Sequence, residues 1–465
     1  MRNDRVRATL DVGDAARDAL LTDAARRSAR FLEELQDRAV RPSPADVERL
    51  AELGGALPEG PADPASVLRL LDEVGSPAAH GNAGPRFFGW VIGGALPVSV
   101  AANWLATAWD QNVGLWATSP VGSALEDVSL RWLLDVLHLP RDAGAGFTTG
   151  ATMANFTCLA AARHALLARA GWDVEADGLF GAPPIQVVVG GEVHPSVSKA
   201  LGMLGLGRSR VIAVPIDDQG RMRADALPPL DGPAIICAQA GNVNTGAIDP
   251  MREICAWARE RSAWVHVDGA FGLWAAAAPS LRGLVDGVDL ADSWATDAHK
   301  WLNVPYDSGV AFVRDAASLR AAMAVTASYL PHGERREPYT YTPELSRRGR
   351  GVEIYAALRT LGRSGVAEMI ERCCRHASRF AEGLRAAGFE VLNDVVLNQV
   401  LVAFGDEART NRVIEAIQDD GTCFCGGTVW QGRTAMRISV CSWATTDADV
   451  ERSLEAMIRC AASAT

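Results

Sequence analysis

Short apolar runs alternate with helix-length segments through the middle of the chain, from about residue 146 to residue 315. The apolar runs read "IQVVVGG", "RVIAVPI", "AIICAQA", "AWVHVDGA", "DSWATDAHK" and "GVAFVR". Runs that are apolar on both faces and separated by helices are typical of strands in a mainly parallel sheet. The pattern therefore predicts an α/β domain.

The two ends of the chain follow other patterns. Residues 14–78 are helical in pattern, as in "AARRSARFLEELQDRAV", and are broken by prolines. After about residue 345, helical segments such as "VEIYAALRTLGR" and "IERCCRHASRFAEGLRAAG" alternate with the strand candidates "QVLVAFG" and "AMRISVCSW". We expect an N-terminal helical arm over 1–80, a large domain over 81–330 and a smaller α+β C-terminal domain over 346–465. The arm either wraps a second subunit or forms a subdomain of its own.

Composition narrows the class of protein. A net charge of −11, with both signs spread along the chain, indicates an acidic surface and argues against nucleic acid as a partner. No apolar run is long enough to span a membrane, and the charged N-terminus does not resemble a signal peptide, so we expect a cytoplasmic protein. The nine cysteines are scattered without the spacing of a zinc site, so we expect no metal.

Lysine is almost absent from the chain. Of 45 basic residues, only Lys199 and Lys300 are lysines, and Lys300 directly follows a histidine in "ATDAHKW". Arginine can replace lysine as a surface charge, but it cannot lose a proton and attack a carbonyl carbon. We therefore infer that Lys300 is needed as an amine for a Schiff base. The alternative is that one lysine escaped a codon bias, as Lys199 did.

Other candidate residues follow the predicted strands. Ligands of open parallel sheets collect at the carboxyl ends of the strands. After "AGFT", the small residues Gly150, Ala151 and Thr152 open a helix whose N–H groups suit a phosphate. His194 follows "VVVGGEV", and Asp268 follows "WVHV". A carboxylate at the end of an apolar strand is costly to bury without a cation. Taken singly, each has a structural alternative, namely a helix cap or a core histidine.

Taken together, these groups suit one cofactor. Pyridoxal 5′-phosphate needs an amine for its aldehyde, a carboxylate for its ring nitrogen, donors for its phosphate and a flat partner for its ring. A nicotinamide oxidoreductase would instead need a glycine-rich turn followed about 20 residues later by an acidic residue. The segment "GGEVHPSVSKALGMLG" lacks that arrangement.

The motifs resemble those of the group II pyridoxal-phosphate decarboxylases, which include the aromatic amino-acid and glutamate decarboxylases. The similar segments, in order, are "RAVRPSPADVERLAELGGALPEGP", "GPRFFGW", "TTGATMANF", "GEVHPSVSKA", "HVDGAFG", "DSWATDAHKW" and "MRISVCSWATTDADV". The resemblance implies a type I aminotransferase-like fold, a homodimer, and decarboxylation of an L-amino acid to an amine and carbon dioxide. Other pyridoxal reactions stay open, including oxidative deamination to an aldehyde, transamination and carbon–carbon cleavage.

The resemblance also assigns roles around the cofactor ring. Lys300 would form the Schiff base, and His299 would touch the phosphate and the reacting imine. Asp268 would pair with the ring nitrogen, Ala270 would pack below the ring, and His194 would stack above it.

At the phosphate, the resemblance implies binding by Gly150, Ala151 and Thr152, with Asp297 nearby at a position where the family has Asn or Asp. Met153 stands where relatives usually have Glu. Near the ring, Val243 replaces a frequent threonine, and Asn242 or Asn244 could supply the missing hydrogen bond. These departures leave the cofactor site intact but bear on substrate and reaction.

The family has a mobile loop with a tyrosine that protonates the substrate α-carbon. Here that region is expected over 331–345, with Tyr339 favoured over Tyr341 as the proton donor. "RFFGW", residues 86–90, lies in the region where relatives shape the side-chain pocket, and its aromatic content favours an aromatic or apolar amino acid. The alternative for these residues is core packing.

Overall fold

The computed structural model describes residues 13–325 and 335–464. The described strands are β1 Gly144–Thr148, β2 Gln186–Gly190, β3 Ile212–Val214, β4 Ala234–Gln239, β5 Trp264–Asp268, β6 Ser293–Asp297, β7 Gly309–Val313, β8 Glu390–Val391, β9 Gln399–Ala403, β10 Gly426–Trp430 and β11 Arg433–Ser439. The described α-helices are α1 Asp14–Glu34, α2 Pro44–Glu48, α3 Pro64–Leu70, α4 Ser76–Ala78, α5 Pro97–Trp109, α6 Pro120–Val136, α7 Ala151–Arg169, α8 Val174–Asp177, α9 Pro195–Met203, α10 Met251–Glu260, α11 Ala316–Met323, α12 Gly351–Ala386, α13 Glu407–Asp420 and α14 Asp447–Ser463.

A seven-stranded sheet forms the centre of the molecule, in the order β1-β7-β6-β5-β4-β2-β3. Each of the six predicted apolar runs contains one of its strands, so this part of the prediction is confirmed. The sheet is parallel except for β7, which pairs antiparallel with both β1 and β6. Because β7 returns directly alongside β6, the connection between them, which contains Lys300, stays at the carboxyl end of β6.

A second, antiparallel sheet has the order β10-β11-β9-β8 and packs against α12 and α13, which in turn pack against α14. The predicted α+β character of the C-terminal part is thereby confirmed. The two helical segments expected over 352–388 form one long helix, α12, interrupted where Gly362 has φ 58°. Only a residue without a side chain adopts this backbone geometry readily, so the glycine permits the break.

One hydrophobic core joins the two sheets. It runs from Phe147 and Trp294 of the large sheet through Phe380 of α12 to Met436 of the small one. Phe88 lies within the predicted large domain, yet its backbone bonds to residues 424 and 439 of the C-terminal part. The domain boundaries stay a prediction, but the two parts share their core.

The N-terminal arm contrasts with this core. Helix α1 is 21 residues long and contains no buried residue. A helix of this kind gains little stability from the chain it belongs to, because most helical stability in proteins comes from packing an apolar face. Among the described residues, no helix is long and apolar enough to cross a membrane.

Candidate active site

The predicted site residues meet at the carboxyl edge of the large sheet. Asp268 ends β5 and Asp297 ends β6, and these strands are parallel neighbours. The Asp297 N–H donates to the Ala270 carbonyl at 3.0 Å, which ties the two strand ends together. Lys300 lies three residues beyond β6, so the amine and both carboxylates share one edge of the sheet.

The Lys300 side chain is held against Asp297. The Nζ atom lies 2.9 Å from Asp297 Oδ2, and the lysine side chain is 17% exposed. The segment before α5 passes across the same turn so closely that a Cβ atom on Gly93 would overlap the Lys300 carbonyl. The backbone of Lys300 is therefore held in place, and its side chain is only slightly exposed to solvent.

Asp268 is a buried carboxylate, 5% exposed. Its Oδ1 accepts from the Ala270 N–H at 3.2 Å, and its Oδ2 accepts from Asn155 Nδ2 at 3.2 Å and lies 3.3 Å from Ser196 Oγ. Within 13–325 and 335–464, no Lys, Arg or His side chain forms a salt bridge with it. A buried carboxylate without a cation is costly, so this site suits a ligand with a protonated ring nitrogen.

His194 stands at the start of α9, followed by Pro195 in the first helical position. Its Nδ1 accepts from the Ser196 N–H at 3.2 Å and lies 2.7 Å from Ser196 Oγ. Burial lowers the pKa of His194, although the nearby Asp268 carboxylate opposes that change. The imidazole is therefore neutral near pH 7 and offers a flat face and one N–H group.

The predicted phosphate donors lie where α7 begins. Gly150 precedes the helix, and Ala151 and Thr152 are its first two residues. The Ala151 N–H donates to Asp297 Oδ1 at 2.6 Å, so a carboxylate oxygen lies at the amide that a phosphate would use. A Cβ on Gly150 would come within 3.2 Å of the His299 ring, which shows how little room a larger residue would leave. These donors fit a phosphate group.

His299 closes the same end of the site. Its Nδ1 accepts from the Ser308 N–H at 3.0 Å, and its ring stacks on Tyr306 with centroids 4.2 Å apart. Burial lowers the pKa of His299, so its imidazole is also held neutral. The backbone and the stacked ring together fix its orientation.

The structure does not bring the loop tyrosines to this site. Tyr339 is buried in a 3₁₀ helix, Pro338–Tyr341, and its N–H donates to the Gly114 carbonyl. The Tyr341 hydroxyl accepts from Arg320 of α11 at 3.3 Å. In the described residues, no hydrogen bond links either tyrosine to Lys300. Part of the predicted loop, 331–334, lies outside the described residues.

Most of the "RFFGW" segment belongs to the core. Arg86 is buried and bonded to Asp449 and to the Thr422 carbonyl, and Phe88 is almost fully buried. Phe87 is buried as well and stacks on a neighbouring phenylalanine, which leaves Trp90 as the exposed aromatic ring. The core-packing alternative is thus the one observed for residues 86–88.

Both asparagines that the sequence suggested, Asn242 and Asn244, accept hydrogen bonds in the structure. Asn242 Oδ1 accepts from the N–H groups of residues 244 and 245, while its Nδ2 is buried without a partner among the described residues. Asn244 Oδ1 accepts from Thr428 and, at 3.4 Å, from Arg437. The Nδ2 group of Asn242 is therefore a buried donor that could supply the hydrogen bond that the sequence suggested.

The sequence reasoning missed four polar residues around this site. Asn155 and Ser196 bind Asp268, His266 binds Asn155, and Arg437 lies near enough to help lower the pKa of His194. A signal for His266 was present, because alternate residues of a strand share a face and His266 lies two before Asp268. Arg437 comes from β11, so only the packing of the two domains reveals it.

Comparisons with known proteins agree with this geometry. A family model, the pyridoxal-dependent decarboxylase conserved domain, matches residues 57–405. The tryptophan decarboxylase 1 of Oryza sativa is 28% identical over 401 residues, covering 77% of this chain and 76% of the relative. The L-2,4-diaminobutyrate decarboxylase of Rhizobium meliloti is 29% identical over 387 residues, covering 78% of this chain and 75% of the relative.

Solved structures match over almost the whole chain. The Oryza sativa TDC structure with PLP and tryptamine has a TM-score of 0.89 at 22% identity, and the match covers 97% of this chain and 99% of that one. The 4-hydroxyphenylacetaldehyde synthase of Rhodiola rosea has a TM-score of 0.84 at 21% identity, with coverage of 97% and 99%. At such identities the likeness establishes the fold.

Proposed function

The chain belongs to the pyridoxal-dependent decarboxylase family, and we propose that it removes the α-carboxylate of an aromatic or other apolar L-amino acid, releasing the amine and carbon dioxide. It is a carboxy-lyase that depends on pyridoxal phosphate. The observation that carries the proposal is the pairing of a shielded amine, Lys300, with a buried carboxylate, Asp268, at neighbouring strand ends.

The residues around Lys300 fit the cofactor. When bound, pyridoxal phosphate supplies a protonated ring that draws electrons from a bond to the substrate α-carbon. In this proposal, Lys300 supplies the amine that holds the aldehyde, and Asp268 holds the proton on the ring nitrogen. His194 packs on one face of the ring, and Ala270 packs on the other.

The phosphate end of the proposed site uses the start of α7. Gly150, Ala151 and Thr152 present the helix N-terminus, whose N–H groups and dipole favour an anion. Asp297 and His299 lie at the same end, where Asp297 would orient the lysine and His299 would contact the phosphate. The helix start would hold the phosphate while Asp268 would hold the ring nitrogen, so the two contacts together would fix the position of the cofactor.

The substrate proposal rests on two exposed aromatic rings and one arginine. Trp90 and Tyr306 are each more than half exposed, and Tyr306 stacks on the site residue His299. Such rings favour an aromatic or apolar side chain. Arg437 has no salt bridge among the described residues and offers a cation for a substrate carboxylate. The similarity to the rice tryptophan decarboxylase supports the same choice.

Tyr339 remains our proposed proton donor after carbon dioxide leaves. A phenol O–H can deliver a proton, provided that it reaches the α-carbon. An alternative outcome is oxidative deamination to an aldehyde, and the matched synthase from Rhodiola rosea has this fold. The two outcomes differ in their products, since the second yields ammonia and peroxide.

We also propose a cytoplasmic homodimer. All nine cysteines are free thiols in the structure, which is usual in a reducing compartment. Helix α1 has no buried residue, and α5 exposes Trp104, Leu105 and Trp109. A second copy of the chain would cover these apolar surfaces.

The test begins with the visible spectrum of the purified protein. Wild type is expected to absorb in the visible range through its bound cofactor and to release carbon dioxide from a panel of amino acids, with aromatic substrates fastest. Lys300→Ala should lose both properties, because no other amine lies at the site. Lys199→Ala is the matched control and should keep both, since Lys199 is exposed on α9.

Carbon dioxide, ammonia and peroxide should be measured in the same incubation. Carbon dioxide and amine alone support the proposal, whereas peroxide with ammonia would replace it by aldehyde formation. A Lys300→Ala protein that stays yellow and active would refute the assigned amine. Faster turnover of acidic than of aromatic amino acids would overturn the proposed substrate class.

A further inference from the structure

A line of buried polar side chains leads from the interior of the large sheet to Asp268. Trp264 Nε1 donates to Ser293 Oγ at 2.9 Å, and Ser293 Oγ lies 3.0 Å from His266 Nδ1. His266 Nε2 lies 2.9 Å from Asn155 Oδ1, and Asn155 Nδ2 donates to Asp268 Oδ2 at 3.2 Å. The four groups behind Asp268 form what we name the inner relay: Trp264, Ser293, His266 and Asn155.

Strand geometry explains why these groups meet. Trp264, His266 and Asp268 alternate along β5, so they project from the same face of the sheet. Helix α7 packs on that face and presents Asn155 from its second turn. His266 and Asn155 are completely buried. Because water does not reach them, each polar group depends on its neighbour in the relay.

The donors and acceptors available in these groups determine the direction of each hydrogen bond in the relay. The indole N–H of Trp264 can only donate, so Ser293 Oγ accepts there and has its own proton free for His266. Burial lowers the pKa of His266 to about 4, which keeps its imidazole neutral at physiological pH. With Nδ1 accepting, Nε2 carries the proton and donates to Asn155 Oδ1.

The orientation of the Asn155 amide follows from both of its neighbours. If the amide were reversed, its oxygen would face the Asp268 carboxylate and its NH₂ group would face the N–H of His266. Both contacts would then be repulsive, because two acceptors and two donors would oppose each other. The relay therefore fixes the amide with its NH₂ group towards Asp268, where it donates to Oδ2.

Asn155 is also a branch point. Its Nδ2 donates to Ser196 Oγ at 3.2 Å as well, and Ser196 Oγ lies 2.7 Å from His194 Nδ1. Since Nδ1 also accepts from the Ser196 N–H, it carries no proton. The remaining proton of neutral His194 is on Nε2. One amide thus connects the carboxylate at the ring nitrogen with the imidazole above the ring.

We propose that His266 and Asn155 are positioning residues that set the Asp268 carboxylate and the His194 tautomer together before the cofactor binds. This inference rests on the proposed function of the same site. Neither residue touches the reacting atoms, and both act through Asn155 Nδ2. The relay thus makes the carboxylate for the ring nitrogen and the imidazole above the ring a single pre-organised unit.

The test compares two substitutions at position 266. His266→Leu removes the donor to Asn155 while filling much of the same space, whereas His266→Gln keeps an N–H group that reaches the amide. We expect His266→Leu to raise the dissociation constant for pyridoxal phosphate about tenfold or more, and His266→Gln to restore it to within about threefold of wild type. The visible circular dichroism of the bound cofactor, which reports ring orientation, should weaken in the leucine variant alone.

A matched control separates positioning from stability. Val265→Ala removes buried volume from the opposite face of β5, so it should lower the melting temperature without changing cofactor affinity by more than about twofold. If His266→Leu only lowers the melting temperature, or if glutamine fails to restore affinity, the relay proposal is wrong. If wild type itself fails to bind pyridoxal phosphate, the proposed function is wrong instead.

Discussion

Asp297 is the residue on which the amine and the phosphate site converge. One of its oxygens lies 2.6 Å from the Ala151 nitrogen and the other lies 2.9 Å from Lys300 Nζ. The carboxylate thus binds the helix N-terminus that a phosphate would bind, and it also contacts the amine of the lysine. The sequence placed Asp297 near the phosphate, but its double contact appears only in three dimensions.

We predict that Asp297→Asn strengthens binding of pyridoxal phosphate. We expect the repulsion between the Asp297 carboxylate and the phosphate to cost at least about 1.4 kcal/mol at this partly shielded site, so removing one charge should tighten binding about tenfold or more. Pyridoxal lacks the phosphate, so Asp297→Asn can change its binding only through Lys300. Binding of pyridoxal phosphate should change through Lys300 and also through the lost repulsion between Asp297 and the phosphate. The ratio of the two dissociation constants, measured by absorbance titration, isolates the phosphate contribution.

An unchanged ratio would mean that Asp297 does not compete with the phosphate. A lower affinity for the phosphate form alone would show instead that the carboxylate supports the site. Asp307→Asn provides a control, because Asp307 is paired with Arg350 rather than with Lys300. It should leave the ratio as it is in wild type.

At the scale of elements, the short helix Pro338–Tyr341 is a place where the structure differs from the sequence prediction. The sequence offered two tyrosines there, and the fold ties both to the large domain through Gly114 and Arg320. Tyr341 is also covered by the Arg336 guanidinium, 4.3 Å from its ring centre. These contacts leave Tyr339 as the tyrosine of this element whose hydroxyl has no described side-chain partner.

The proton-donor assignment predicts that Tyr339→Phe lowers kcat at least about 100-fold while the cofactor still binds, because only the proton is removed. Tyr341→Phe should retain turnover, since that hydroxyl is already bonded to Arg320. Tyr329→Phe completes the comparison from the segment outside the described residues. Amine formation is the measurement, and a loss confined to Tyr329→Phe would move the role away from Tyr339.

The sequence predicted elements better than it predicted partners. Strand ends such as Asp268 and Asp297 could be found because apolar runs mark the strands and parallel strands share an edge. Asn155 could not be assigned, because an asparagine inside a helical pattern carries no sign of which strand it will face. The sequence around Gly362 also did not predict that two helical segments would form one long helix, because the backbone angles of a glycine depend on packing.

At the scale of the whole molecule, the exposed surface of helix α1 supports our proposal of a homodimer. Helix α1 buries no residue, and Leu105 of α5 is 55% exposed. Exposing such surfaces to water is unfavourable, by roughly 25 cal/mol for each Å² of apolar area. A dimer would remove that cost and explain why the arm is helical at all.

We expect Leu105→Glu to weaken the dimer, because a carboxylate would have to lose its hydration at the apolar contact. Sedimentation velocity over a range of concentrations should show dimeric wild type and a variant shifted towards monomer. Phe180→Glu is the control, since Phe180 is 99% exposed outside these surfaces. Dimers of equal strength in wild type and Leu105→Glu would place the interface elsewhere.

The scarcity of lysine has a practical consequence. Lys199 is exposed on α9, whereas Lys300 is mostly shielded by the turn that holds it. Coupling to a support through lysine side chains would therefore attach the molecules mainly at Lys199, in a uniform orientation. An enzyme with dozens of surface lysines would attach at random, so this chain is by composition well suited to oriented immobilisation.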